Sequence, residues 1–340
     1  MQQDLNPTQI LNRLPKAEPH AHFEGSVSPT LLGDLAREYQ VDLFAPARAP
    51  IGAMFFRPDV IDRFLDGSFV FADFQDFIAI YLKITECIAT SGAVRQVGEH
   101  YIDQAKADGV VAADLYFTPG TFSMFGRNVP SFFEALAEVS RAARHDASLQ
   151  LQWIFDIVRN LSEDGFEIFP YFDLAKNRGL TVRYLGLAGD ESVRGAAPFA
   201  RAFDEARKRK LIPLAHSGES GSSKDMLETI SLLKPQRIGH GIRALEDPEL
   251  TEKLLRTQLP LEVSPWSNIL LGFKTSANHP MAAMIRAGLN VLPASDDPGI
   301  FGKSLTDNYL FAFGQGITLE ELQIIAAKSI RMIVPESAGV

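Results

Sequence analysis

Short hydrophobic runs alternate along this chain with longer amphipathic stretches. A short apolar run bounded by turn residues is typical of a buried strand, and apolar residues three and four positions apart indicate a helix. The pattern predicts a strand through His20 and His22, and further strands at Val110–Phe117, Leu149–Ile157, Thr181–Leu187, Leu211–His216, Arg237–His240, Leu259–Val263 and Leu289–Ala294. Between these strands it predicts helices at Ser131–Arg144, Gly165–Asn177, Pro198–Arg209, Lys224–Leu233, Pro248–Arg256 and Pro280–Ala287.

The N-terminal half carries extra helical segments, separated by a proline-containing loop at 41–60. These helices are predicted at 6–13, Thr30–Tyr39 and Asp76–Asp108. A dense set of phenylalanines lies in and before the last of them. They form either a helix-packing face or an apolar lid over a pocket, and the sequence leaves both interpretations open for Phe64, Phe69, Phe71, Phe74 and Phe77.

Alternating strands and helices imply a parallel sheet. Eight alternations in a chain of 340 residues favour a closed (β/α)₈ TIM barrel, with extra helices near the N-terminal half. The competing architecture is an open doubly wound sheet. No glycine-rich dinucleotide fingerprint follows the first strand, which counts against its nucleotide-binding form. We therefore predict a single barrel domain over residues 1–340.

Composition narrows the class of protein. The chain is 46% hydrophobic and 22% charged, which is typical of a soluble globular protein, and its formal net charge of -9 argues against a nucleic-acid or anionic-membrane partner. Its one cysteine, Cys87, excludes an internal disulfide and a cysteine-rich metal site. With no signal peptide and no apolar stretch long enough for a membrane span, we expect a cytoplasmic protein with a small-molecule partner. The oligomeric state stays open.

Polar residues cluster at the predicted strand ends, where the active site of such a barrel lies. Burying so many titratable groups without a ligand is energetically costly. Four of the seven histidines are in this set, together with one glutamate and a pair of aspartates: His20, His22, His216, His240, Glu219, Asp296 and Asp297.

Three of these histidines and one aspartate have the chemistry of a catalytic zinc site. His20 and His22 share one face of a strand because side chains alternate along it. With His216 and Asp296 they provide three imidazoles and a carboxylate, a donor set that suits one Zn²⁺ per chain. Such a metal lowers the pKa of a bound water towards neutrality.

The remaining polar residues fit roles in proton transfer and substrate binding. Glu219 follows His216 closely enough to carry a proton, although a first-turn carboxylate of the next helix is the alternative. His240 and Asp297 are left to orient the water and bind the substrate. For Asp297, a helix cap before Pro298 is the alternative.

Six motifs, in order along the chain, resemble the adenosine deaminase family. They are Leu14-Pro15-Lys16-Ala17-Glu18, Leu187-Ala188-Gly189-Asp190-Glu191, His216-Ser217-Gly218-Glu219, Arg237-Ile238-Gly239-His240-Gly241, Pro265-Trp266-Ser267-Asn268 and Ser295-Asp296-Asp297-Pro298. The resemblance implies a (β/α)₈ barrel that hydrolytically deaminates a 6-aminopurine at C6. It implies zinc ligands at His20, His22, His216 and Asp296.

The same resemblance implies how the substrate is held. Glu219 would protonate ring N1, while His240 and Asp297 position the attacking hydroxide. Asp297 would also contact N7, and the Gly189 amide would meet N3. Substrate contacts are therefore expected at His22, Glu24, Gly189 and Asp297.

Four positions depart from the family pattern. One of them, Ser264, stands where the family often has cysteine and is of little consequence for the chemistry. Pro19 precedes His20 and lacks an N–H, so we expect it at a strand end or a gap in the strand ladder. Gly186 and Glu24 stand where many adenosine-specific members carry aspartate. On an extended chain Glu24 would share the face of the metal ligands, where it could accept ribose hydroxyls or the N9–H of a free base.

The substrate expectation follows from these departures. The His-x-His-x-Glu-Gly-Ser form is similar to adenine deaminases of the family. Pro265-Trp266-Ser267 and Pro298-Gly299-Ile300-Phe301 are more similar to members that act on adenosine. We expect adenosine or 2′-deoxyadenosine as the substrate, with adenine, a modified adenosine or another aminated heterocycle as the alternative.

Two other classes of function remain. A different metal hydrolase on this barrel would often bridge two metals with a carboxylated lysine, but no lysine ends a predicted middle strand. A non-catalytic binding protein would be expected to have lost part of the polar set, and all seven residues are present.

Overall fold

The computed structural model describes residues 6–334. Its eight strands are parallel and follow one another in chain order around a single sheet. They are β1 Lys16–His22, β2 Val110–Phe117, β3 Gln150–Val158, β4 Val182–Ala188, β5 Ile212–Ser217, β6 Arg237–His240, β7 Leu261–Val263 and β8 Val291–Pro293. The predicted strands lie within about two residues of these bounds, so the hydrophobic pattern located each of them.

The first and last strands meet at the carboxyl end of β1. The His22 N–H donates to the Asp296 carbonyl at 2.7 Å, and the Asp296 N–H donates to the His20 carbonyl at 3.0 Å. These two bonds form a parallel bridge between Ala21 and Asp296. The sheet is therefore closed into the predicted (β/α)₈ barrel, and the open-sheet alternative is wrong.

Helices surround this barrel, and within the described residues none is both long and apolar enough to span a bilayer. Three short 3₁₀ turns occur at Glu24–Ser26, Phe166–Ile168 and Ala197–Phe199. The α-helices are α1 Pro7–Arg13, α2 Pro29–Glu38, α3 Pro58–Leu65, α4 Phe74–Cys87, α5 Ser91–Ala107, α6 Pro119–Met124, α7 Val129–Ala147, α8 Phe169–Asn177, α9 Ala200–Lys208, α10 Ser223–Leu233, α11 Pro248–Thr257, α12 Pro265–Leu270, α13 Met281–Arg286, α14 Pro298–Phe301, α15 Leu305–Gly314 and α16 Leu319–Ile333.

The single long helix predicted at Asp76–Asp108 is wrong, because the segment folds as α4 and α5. The hydroxyl of Thr90 accepts the Ala93 N–H at 3.2 Å and so caps the start of α5. A capping hydroxyl satisfies a free N–H at a helix start, and it scarcely alters the hydrophobic pattern around it. The predicted loop at 41–60 is correct up to Pro58, where α3 begins.

Pro19 lies where the ladder between β1 and β2 is interrupted. The strand register shifts between Glu18 and Ala21, as expected for a residue without an N–H. The Glu18 carboxylate accepts the N–H of His20 at 3.1 Å and that of Ser295 at 3.2 Å. This carboxylate therefore joins the bulged strand to the segment after β8.

An apolar layer fills the barrel below the polar strand ends. It consists of Tyr116, Ile154, Tyr184 and Leu214. The Tyr116 ring lies 4.6 Å from the His20 ring and stacks on His22 at 4.9 Å between centroids. Side chains of this layer exclude water from beneath the histidines, as in the filled cores of such barrels.

The phenylalanines of the N-terminal half divide between two environments. Phe64 is fully buried between helices. Phe71 and Phe77 contact Phe301 of α14, with ring centroids 5.8 and 5.7 Å apart. Because α14 begins directly after Asp297, this second pair covers one side of the rim that carries the polar residues.

Candidate metal centre and active site

The four predicted metal ligands converge at the carboxyl end of the barrel. His20 and His22 come from β1, His216 from β5 and Asp296 from the residue that bridges β1. Nε2 of His22 lies 3.2 Å from Nε2 of His216 and 3.5 Å from an Asp296 oxygen, and Nε2 of His20 lies 3.4 Å from that same oxygen. All four side chains are buried.

His240 also faces this group. Its ring centroid is 5.2 Å from that of His216, and one of its ring nitrogens lies within 4.8 Å of donor atoms on His20, His216 and Asp296. The site thus contains a fifth side chain that a metal could reach. The role predicted for His240 from the sequence was a different one, that of orienting the water.

Two of the histidines are held by their other ring nitrogen. Nδ1 of His20 lies 3.0 Å from Glu262, and Nδ1 of His216 lies 3.0 Å from the Leu187 carbonyl. Such contacts fix the ring orientation and direct Nε2 to the centre. Nε2 of His20 is buried and has no hydrogen-bond partner within residues 6–334, an arrangement that a metal ion would satisfy.

The charges around the centre favour a cation. Burial lowers the pKa of His20, but the neighbouring Asp296 and Glu262 carboxylates more than offset this effect and raise it to about 10. Burial lowers the pKa of His22 to about 3, so its imidazole is neutral at pH 7 and keeps a lone pair for a metal. These residues therefore fit a divalent metal.

An ion-pair network supports the centre from below, and the sequence analysis did not identify it. Arg237 lies between two buried carboxylates, 2.7 Å from Glu262 and 2.6 Å from Asp114. Since Glu262 also contacts His20, the network links β2, β6 and β7 to the first metal ligand. The sequence signal was a charged residue inside an apolar strand run, which is rare without a partner.

Two residues of the site have left-handed backbones although neither is glycine. The φ angle is +66° at Asp296 and +65° at His240. Such conformations are uncommon outside glycine and are maintained only when the surrounding structure enforces them. At Asp296 the enforcing contacts are the two hydrogen bonds that close the barrel.

Glu219 lies on the turn after β5, and a second glutamate shapes that turn. The Glu191 carboxylate accepts the N–H groups of Gly218 and Glu219 at 2.9 Å each, and that of Gly221 at 3.1 Å. It also accepts the Ser217 hydroxyl at 2.8 Å. Glu191 therefore positions the backbone that carries Glu219, a role that the sequence motif did not reveal.

The Glu219 side chain contacts the predicted orienting histidine. Its Oε1 accepts Nδ2 of Asn268 at 2.8 Å and lies 3.3 Å from Nδ1 of His240. His279 lies 3.2 Å from Asn268 Oδ1, which fixes the amide in this orientation. Burial raises the pKa of Glu219 well above its ordinary value, and the charges of Asp296 and Glu191 raise it further. Both effects favour the protonated form of the carboxyl group.

Asp297 lies beside the metal ligands and close to the main chain. A Cβ added at Gly25 would lie 1.9 Å from Asp297 Oδ1, so only glycine permits this approach. Burial raises the pKa of Asp297 well above its ordinary value, and the neighbouring Asp296 charge adds to this. Oδ1 of Asp297 has no hydrogen-bond partner among the residues described. The oxygen is therefore available to a ligand.

The expected extended conformation at Glu24 is wrong. Strand β1 ends at His22, and Glu24 opens a 3₁₀ turn. Its side chain is nevertheless fully buried, and Oε1 accepts the Thr118 N–H at 3.3 Å. Gly189 follows β4 with a φ of +91°, in the loop where the resemblance expected an amide contact.

Comparisons with known proteins agree with this geometry. The family model described as adenosine deaminase matches residues 15–337. An adenine deaminase of Geotalea uraniireducens is 32% identical over 94% of this chain and 86% of its own length. One of Pseudomonas entomophila is 30% identical over 94% of this chain and 97% of its length. The crystal structure of adenine deaminase from Arthrobacter aurescens, 27% identical, covers 95% of each chain with a TM-score of 0.84.

Proposed function

This chain belongs to the adenosine deaminase family, and we propose that it deaminates free adenine to hypoxanthine and ammonia. Membership makes it a purine deaminase, a hydrolase that acts on a C–N bond of a cyclic amidine. The sequence motifs favoured adenosine as the substrate. The relatives named adenine deaminase support the alternative instead.

The donor set of the centre supports zinc as the metal. His20, His22, His216 and Asp296 would hold it, since three imidazoles and a carboxylate form a typical zinc coordination set. When bound, the metal supplies a Lewis acid that makes water nucleophilic at neutral pH. The Glu262 and Leu187 contacts keep His20 and His216 oriented towards it.

Glu219 supplies the proton. Burial favours the protonated form of its carboxyl group, which donates to purine N1, and this makes C6 more electrophilic towards water. Asn268 holds the carboxyl oxygen that does not face the substrate. His240 and Asp297 orient the attacking water, and the 6-amino group then leaves as ammonia.

The remaining ring atoms of the purine contact residues around the metal centre. Burial favours the protonated form of the Asp297 carboxyl group, which donates a hydrogen bond to N7, and the Gly189 N–H donates to N3. Glu24 carries the substrate preference because its Oε2 is buried and has no hydrogen-bond partner within residues 6–334. An N9–H would satisfy this oxygen, whereas a sugar at N9 removes the donor and occupies the same space.

Steady-state ammonia release from the zinc-loaded protein tests this assignment. A site built around a buried polar contact rejects a substrate that lacks it by roughly 10⁴-fold, so we expect kcat/KM for adenine to exceed that for adenosine by about this factor. Glu24→Asp shortens the side chain by one methylene and should shift efficiency towards adenosine. Higher efficiency on adenosine or an N6-substituted adenine would refute the proposal. Elemental analysis gives a separate check, since two metals per chain would favour another class of hydrolase.

A further inference from the structure

A second buried carboxylate lies next to Glu24 and has no role in the reaction described above. Asp156 is near the carboxyl end of β3, and its side chain is 2% exposed. Its Oδ1 accepts the Thr118 hydroxyl at 2.9 Å. Its Oδ2 is buried without a hydrogen-bond partner in the described part of the chain. Leaving such an oxygen unpaired costs free energy unless a ligand pairs with it.

Thr118 joins the two carboxylates. Its N–H donates to Glu24 and its hydroxyl donates to Asp156, so each carboxylate has one oxygen occupied by the same residue. The other oxygen of each, Oε2 of Glu24 and Oδ2 of Asp156, lacks a partner within residues 6–334. Two carboxyl groups held this close favour a hydrogen-bond donor or a positive charge between them.

The neighbouring strand leaves room for this arrangement. Asp156 pairs in register with Gly186 of β4. A Cβ added at Gly186 would lie 2.7 Å from the Tyr116 ring and 3.0 Å from the Asp156 Cβ. Glycine at position 186 therefore leaves room for the Asp156 side chain. Since Tyr116 also stacks on His22, the carboxylate lies on the same side of the barrel as the metal ligands.

We infer that Asp156 is a substrate-binding residue that, together with Glu24, accepts the N–H of the imidazole half of an unsubstituted purine. The inference rests on the proposed function, because a free base carries this donor and a 9-substituted base does not. When Glu219 transfers its proton to N1, the ring becomes positively charged. That charge makes the N–H a stronger donor, so its hydrogen bond to the two carboxyl groups strengthens in the transition state and Asp156 acts on the rate as well as on binding.

The test compares adenine with 9-methyladenine in Asp156→Asn, with the exposed Asp173→Asn as the matched control. Losing one hydrogen bond to a charged group costs roughly 10- to 100-fold. We expect a loss of that size in kcat/KM for adenine. The value for 9-methyladenine should stay within a few-fold of wild type, and so should both values in the control.

Binding supplies a second readout that does not depend on turnover. Calorimetry of the zinc-loaded protein should show weaker binding of hypoxanthine, but not of 9-methylhypoxanthine, in Asp156→Asn. Thr118→Val keeps the carboxylate and removes only its donor. Thr118→Val should show the same loss of preference for the unsubstituted base to a smaller degree. The inference therefore remains testable even if Asp156→Asn does not fold.

Two failures are distinguishable. If the wild-type protein prefers adenosine, the proposed function is wrong and this inference with it. If the wild-type protein prefers adenine but Asp156→Asn loses both substrates equally, Asp156 is structural. The inference is then overturned while the proposed function stands.

Discussion

Replacing Glu219 with glutamine separates proton transfer from every other property of the site. Glutamine has nearly the same volume, and its oxygen can still accept Nδ2 of Asn268, which lies 2.8 Å from Glu219 Oε1. Its amide nitrogen can then donate a hydrogen bond to purine N1. It cannot release a proton, so the variant keeps the pocket and loses the acid.

The expected loss follows from the role of the proton. General acid catalysis contributes typically 10²- to 10⁴-fold, which corresponds to about 2.7–5.4 kcal/mol of activation free energy. Burial and the charges of Asp296 and Glu191 raise the pKa of Glu219 well above its ordinary value, which favours the protonated form of the wild-type acid. Activity that needs this proton is present below that pKa and is lost as the pH rises through it.

The assay is single-turnover conversion of adenine by zinc-loaded Glu219→Gln, with zinc content measured on the same sample. The exposed Glu228→Gln on α10 is the matched control, and it should behave as wild type. We expect full zinc content, KM within a few-fold of wild type and a rate lower by the factor above. Turnover close to wild type would refute the role of Glu219 as the acid.

Two further predictions concern the metal. Alanine substitution of a proposed ligand, His20, His216 or Asp296, should abolish zinc binding and activity together, whereas His240→Ala should retain zinc and lose rate. Elemental analysis of each variant measures its zinc content. A metal-free His240 variant together with a metal-containing His216 variant would reverse the two assignments. Glu262→Gln should weaken zinc affinity by roughly 10- to 100-fold in a chelator competition, because it removes the carboxylate 3.0 Å from His20 Nδ1. Unchanged affinity there would show that the Arg237 network has no influence on the metal.

Much of the barrel was readable from the sequence because strand and helix periodicity is local. The predicted strands match the observed ones within about two residues, and β2 and β6 match at both ends. The errors lie at two places where the chain leaves its regular structure. The Thr90 cap divides one predicted helix into two, and the bend after His22 turns Glu24 out of the strand.

The seven polar strand-end residues were also identifiable from sequence, because the carboxyl ends of barrel strands meet at one face. The residues that orient these side chains through hydrogen bonds could not be identified from the sequence. His20 and Glu262 are 242 positions apart, and Glu219 and Asn268 are 49 apart. No local pattern connects such residues.

Only the tertiary structure decides which side chains fill the space around the substrate. The closure of β1 on Asp296 imposes a left-handed backbone there, and the missing side chain at Gly186 makes room for Asp156. Both features arise from packing between strands that are distant in sequence. Strand periodicity determines which face a residue occupies, and it carries no information about the neighbour that residue will meet across the barrel.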